Sequence, residues 1–265
     1  MIASPKLEKV TSKDGTELAC WVSGEGPPLL LIHGTTADHT SWRFVLPALQ
    51  EHFTVYAVDR RGRGDSGDAR AYTIGREYED VSVMVDSIGK PVNVLGHSYG
   101  ANLAVEAALV TKNLRRLVLY EPALGHATDD LPRIINRLEG HIERGEREAA
   151  LEIVLNEIAG MSPAAIEQVR SSPVWPLRIA AVHTVPRELK ADRDYSFKPE
   201  RFRGMTIPTL LLLGSESPSY ARKGTAAIAA ALPDARIIRM PGQGHVAMMT
   251  APELFTNEVI RFLEV

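Results

Sequence analysis

At 265 residues, 45% hydrophobic and 24% charged, the chain has the size of one domain with room for an insert, and it is too apolar for disorder. Thirty basic against 33 acidic residues leave a net charge of −3 without any basic cluster, which argues against a nucleic-acid partner. Its longest apolar runs, such as 29–32 and 210–213, are far short of the ~18 residues that span a bilayer, so no membrane partner is expected.

In chain order, residues 1–13 intersperse Lys6, Glu8 and Lys9 among apolar residues and lack the apolar run of a secretory signal. Cys20 is the only cysteine, which excludes an intrachain disulfide; the expected location is cytoplasmic. Strands are predicted at 7–11, 17–23, 28–32, 53–58, 91–95, 115–120, 207–213 and 236–240, the first two as an antiparallel entry. Helical periodicity covers 40–50, 76–88, 99–110, 219–231 and 252–263, so strand and helix largely take turns, as in an α/β fold with a mostly parallel sheet. Unbroken runs such as Leu-Leu-Leu-Ile suit strands covered on both faces.

Residues 122–205 break that rhythm. They carry amphipathic patterns at 131–144, 147–159 and 163–171, no convincing strand, and single prolines at 163, 173, 176 and 186. The predicted organisation is a core of 1–121 and 206–265 with a helical insert at 122–205 after the sixth strand.

Three loops carry chemistry. Gly96-His97-Ser98-Tyr99-Gly100 sits between a strand and a helix, the context of a nucleophile elbow, and such a pattern arises by chance only about 0.08 times in a chain like this. Larger side chains at 96 and 100 are expected to collide with neighbouring backbone, and Ser98 to be strained. His33-Gly34-Thr35-Thr36 follows the third strand; there the N–H of Thr35, with that of Tyr99, is placed to bind an oxyanion beside Ser98, while His33 itself reads as a loop histidine bonded to backbone. Pro241-Gly242-Gln243-Gly244-His245 follows the last strand and offers His245 as general base.

With these loops and Asp59-Arg60-Arg61-Gly62-Arg63-Gly64-Asp65-Ser66, the sequence resembles the α/β-hydrolase superfamily over essentially its whole length. The resemblance implies an eight-stranded, mostly parallel sheet flanked by helices, with a helical cap where the insert lies. It also exposes a departure: relatives carry Gly-x-x-Asp after the seventh strand, whereas this chain reads Gly214-Ser215-Glu216-Ser217. The acid is then Glu121, at the end of the sixth strand, or alternatively Glu216, or is missing; its role is to hold the His245 tautomer.

The expected activity is that of a serine hydrolase, a carboxylesterase or lactonase acting through an acyl-enzyme on a small to medium, uncharged substrate. The alternatives are a slow-turnover small-molecule receptor on the same scaffold and a C–C bond hydrolase. Met161, Trp175, Leu177 and His183 of the insert are candidate pocket residues, with ordinary packing among the insert's helices as the competing reading. The pattern Gly62-x-Gly64-x-x-Gly67 lacks the helix that a dinucleotide site needs. No cysteine pair, histidine pair or acidic ladder has metal spacing, so no metal or organic cofactor is expected.

Overall fold

The computed structural model describes residues 5–124 and 130–264. Its eight strands are β1 Lys6–Thr11, β2 Glu17–Ser23, β3 Pro28–Ile32, β4 Thr54–Val58, β5 Val92–His97, β6 Leu114–Tyr120, β7 Thr209–Gly214 and β8 Ala235–Met240. They form one sheet in the order β1-β2-β4-β3-β5-β6-β7-β8. The pairs β1–β2 and β2–β4 are antiparallel, and all later pairs are parallel.

The bare apolar runs are explained by the two faces of that sheet. Leu30 and Ile32 of β3 point into one buried cluster, with Leu211 of β7, while Leu29 and Leu31 alternate into the opposite one, with Leu210 and Leu212. Helices α2 Ile74–Ser87, α3 Tyr99–Ala107 and α9 Ser219–Ala231 supply the first face, and α10 Ala247–Thr250 and α11 Pro252–Leu263 cover the second. Cys20 of β2 is buried in the first cluster, and burial pushes its thiol pKa far above the ordinary value.

The predicted helix at 40–50 is a correction. It divides into a 3-10 turn, His39–Trp42, capped by the Asp38 side chain, and a short α1, Leu46–Leu49. Pro47 causes the break, because it has no N–H and its ring clashes with the carbonyl four residues earlier. Between β6 and β7 lie α4 Leu131–Glu143, α5 Arg147–Ile153, α6 Pro163–Arg170, α7 Trp175–Ala181 and α8 Val185–Asp194. The stretch predicted to be helical at 147–159 continues past α5 as a π-helical turn, Val154–Ile158. These helices bury an apolar cluster of their own, including Leu138, Leu151, Trp175, Val182 and Val185.

Candidate active site

The site lies where β3, β5, β6 and β8 end, at the carboxyl edge of the sheet. β5 runs into α3 with only Ser98 between them, at φ 55° and ψ −120°. This bend is possible because its neighbours are glycines. A Cβ on Gly96 would lie 2.5 Å from the Gly100 oxygen, and one on Gly100 would lie 2.5 Å from the His33 oxygen and collide with that of Ile32. The Ser98 N–H donates to the Tyr120 oxygen at 2.9 Å, locking the elbow to the next strand.

That next strand delivers the carboxylate. Glu121, fully buried and at φ 48°, accepts through Oε1 from the Gly214 N–H at 2.8 Å and from the Ser217 hydroxyl. Its Oε2 accepts from His245 Nδ1 at 2.6 Å. Glu216, the alternative acid, is exposed, and its backbone N–H donates to the Gln243 oxygen at 2.9 Å; His245 is paired with Glu121. The serine where relatives place aspartate, Ser217, is thus spent on holding the glutamate.

The His245 loop is fixed from below by two side chains that the sequence reading passed over. His97 Nε2 donates to the His245 oxygen at 2.8 Å, and the His97 and His245 rings lie 4.7 Å apart. Burial, with the charges of His245 and Arg178, holds the His97 pKa well below the usual range, so the ring is neutral. Tyr120 donates its hydroxyl to the Gly244 oxygen and accepts from the Ala247 N–H at 2.8 Å. His97 stands inside the elbow motif itself, and Tyr120 beside Glu121; neither spacing announces such a bond.

On the other side of Ser98 lies the loop after β3. A Cβ on Gly34 would lie 3.0 Å from Ser98 Cβ, so a larger residue here would press the loop away from Ser98. His33 is fully buried, receives the Arg60 N–H on Nε2 at 3.1 Å and donates from Nδ1 to the Gly34 oxygen at 2.8 Å. Burial and the nearby Arg60 and Arg63 keep it neutral. Thr35 donates its hydroxyl to Glu188 Oε2 of α8 at 2.9 Å, and Thr36 turns the loop at φ 56°. Tyr99 is the first residue of α3, where an N–H has no acceptor within the helix and the helix dipole favours negative charge.

The four candidate pocket residues separate. Trp175 and Met161 pack with the cluster of α4–α8; the Trp175 indole N–H donates to Glu148 at 3.1 Å, and Arg170 covers its ring at 4.6 Å. His183 donates from Nδ1 to the Ala180 oxygen at 2.8 Å. Leu177, 40% exposed, lines a narrow cleft with Thr36, Arg43, Arg178 and Met249. Among the described residues, no cluster of three or more His, Cys, Asp or Glu is arranged to hold a metal, and no helix is long and apolar enough to cross a membrane.

A hydroxyl on a strained elbow, an imidazole bonded to a buried carboxylate and N–H donors at a helix start form an arrangement suited to acyl transfer. A family model described as the alpha/beta hydrolase family matches residues 29–258. The chain belongs to the α/β-hydrolase family, and at that level it is a hydrolase. The crystal structure of an α/β hydrolase from Sphaerobacter thermophilus superposes with TM-score 0.85 at 33% identity, covering 97% of this chain and 100% of that one. A 2-(acetamidomethylene)succinate hydrolase from Mesorhizobium japonicum is 26% identical over 260 residues, 91% of this chain and 89% of its own. The enol-lactonase of Burkholderia xenovorans shares the fold at TM-score 0.81 and 22% identity, over 97% of this chain and all of that one.

Proposed function

We propose that this chain is a serine hydrolase that cleaves a carboxylic ester or lactone of a small to medium substrate through an acyl-enzyme. The observation that carries this reading is the Glu121–His245 contact of 2.6 Å beside the elbow serine. In the reaction, Ser98 Oγ attacks the carbonyl carbon while His245 Nε2, the ring nitrogen not bonded to Glu121, takes its proton. The carbonyl electrons move onto an oxyanion bound by the N–H groups of Thr35 and Tyr99. Collapse breaks the ester bond, and His245 returns the proton to the departing alkoxide. Water, deprotonated by His245, then repeats the attack on the acyl-enzyme and frees Ser98. Glu121 holds the His245 tautomer and stabilises the imidazolium. The helices between β6 and β7 act in this reading as a cap that shapes the substrate cavity. The 2-(acetamidomethylene)succinate hydrolase among its relatives supports a small substrate.

The test is labelling of the purified protein with a fluorophosphonate, read by intact mass, beside Ser98→Ala and an assay on a short-chain p-nitrophenyl ester. Stoichiometric labelling that vanishes in Ser98→Ala is expected, with turnover reduced by more than about 10³-fold in that variant. Turnover near or above about 1 per second would separate an esterase from a receptor on the same scaffold. An unlabelled wild type, or a Ser98→Ala variant with full activity, would overturn the mechanism.

A further inference from the structure

The cleft that Leu177 lines has three walls. One is the loop that continues from Thr36 to Arg43, directly after the Thr35 donor; another is α7 of the insert; the third is Met249, four residues beyond His245. Two arginines line this space, Arg43 and Arg178. Among the described residues, neither is paired with a carboxylate. Arg178 donates to the Thr36 hydroxyl at 2.9 Å, while Arg43 donates to the Thr40 oxygen at 3.3 Å and stacks over Phe44.

The acid lining the cleft is Asp38, and it is already occupied. Its Oδ1 accepts from the Thr40 N–H at 2.9 Å and the Thr40 hydroxyl at 2.5 Å, capping the 3-10 turn. Two cations against one committed carboxylate leave the cleft with an excess positive charge. His97 does not offset it, because burial keeps that ring neutral. Burial lowers the pKa of Arg178, with Asp38 opposing and Arg43 reinforcing the shift, as expected of a desolvated cation short of a counter-ion. A guanidinium sheltered in this way gains most from a planar anion that it can bind with two parallel hydrogen bonds.

Resting on the serine-hydrolase reading above, we propose that the substrate is an ester carrying a free carboxylate, received by Arg178 in the cleft beside Thr36. The sequence alone suggested an uncharged substrate, because net charge says nothing about where single cations sit. The insert then contributes a specific charge to recognition as well as a cover, and the arginine is bonded to Thr36, the residue after the proposed Thr35 oxyanion donor.

The experiment compares hydrolysis of four esters by the full chain. Monomethyl adipate carries its carboxylate on the acyl side, and 4-acetoxybutanoate carries it on the alcohol side; each is paired with the corresponding neutral carboxamide. The expected result is a kcat/KM ratio of roughly 10- to 100-fold in favour of the anion in at least one pair. In Arg178→Gln that ratio should fall close to one. A wild type that turns over the carboxamides as readily as the acids overturns this inference while leaving the hydrolase reading intact. So does an Arg178→Gln variant that slows both members of a pair alike, the signature of a mere strut between insert and core. If the protein labels with fluorophosphonate but hydrolyses none of the four, the comparison is read as protection. Adipate should then slow labelling at least tenfold more than adipamide, and equal protection overturns the proposal. Failure to label at all condemns the hydrolase reading instead. These wild-type measurements decide the matter even if Arg178→Gln does not fold.

Discussion

Glu121 combines two demands that seldom fall on one residue: it turns the chain at positive φ where β6 ends, and its carboxylate meets three hydrogen-bond donors while fully buried. Removing its charge should cost the reaction far more than it costs the fold. Glu121→Gln is expected to lower kcat by roughly 10⁴-fold, because the amide presents the wrong partner to His245 Nδ1, whereas exposed Glu216→Gln should change it less than about twofold. Steady-state kinetics of both variants checks this, and equal effects would remove Glu121 from its proposed role. The elbow and the terminal histidine were legible because glycine spacing and chain position announce them. The proposed acid was half legible: its place at a strand end could be read, but the Ser217 hydroxyl and the Gly214 N–H that hold Glu121 meet it only after β6 and β7 pair. His97 and Tyr120 were illegible as supports, because their partners are backbone oxygens 148 and 124 residues away.

Among elements, the decisive joint is between α8 and the loops after β3 and β4. Glu188 of α8 bonds Arg60 and Arg63 through Oε1 and Thr35 through Oε2, and Arg60 is gripped again by both oxygens of Glu77, at 2.8 Å each. All four charged side chains are buried. The pairing is therefore shielded from salt, and each partner depends on the others. Substituting Glu188→Gln leaves Arg63 without its carboxylate and is expected to destabilise the protein by about 3–5 kcal/mol. Urea denaturation measures the difference, and a loss under about 1 kcal/mol would show that solvent already reaches this joint. Strand positions were read closely from apolar alternation and breakers, since a sheet covered on both faces leaves an unambiguous pattern. The divided helix at 40–50 was missed because its amphipathic spacing outweighed Pro47 in the reading, though not in the chain.

For the whole molecule, two neutral buried histidines, His33 and His97, imply a sensitivity to acid that net charge does not reveal. Burial depresses both pKa values, so below the unfolded value of about 6.5 the unfolded chain takes up protons that the native state refuses, and stability falls as pH drops. His39 works in the opposite direction, because Asp59 overcomes its desolvation and raises its pKa. With His183 also lowered by burial, the net expectation is a decline of at least one proton's worth, about 1.4 kcal/mol per pH unit, between pH 6.5 and 5.5. His97→Gln should flatten that slope whatever it does to the absolute stability. Urea midpoints across this range give the answer, and a flat profile in the wild type would mean that these rings accept charge within the fold. The division into a sheet core and helical segment was visible from where periodicity changed; the ionic joint between them was not, since charged residues on an amphipathic helix normally signal solvent. Cys20, finally, gives the chain a chemical silence. With its one thiol sealed in the sheet, no thiol competes for an electrophile in the native state, so modification of Cys20 becomes a signature that the sheet itself has come apart.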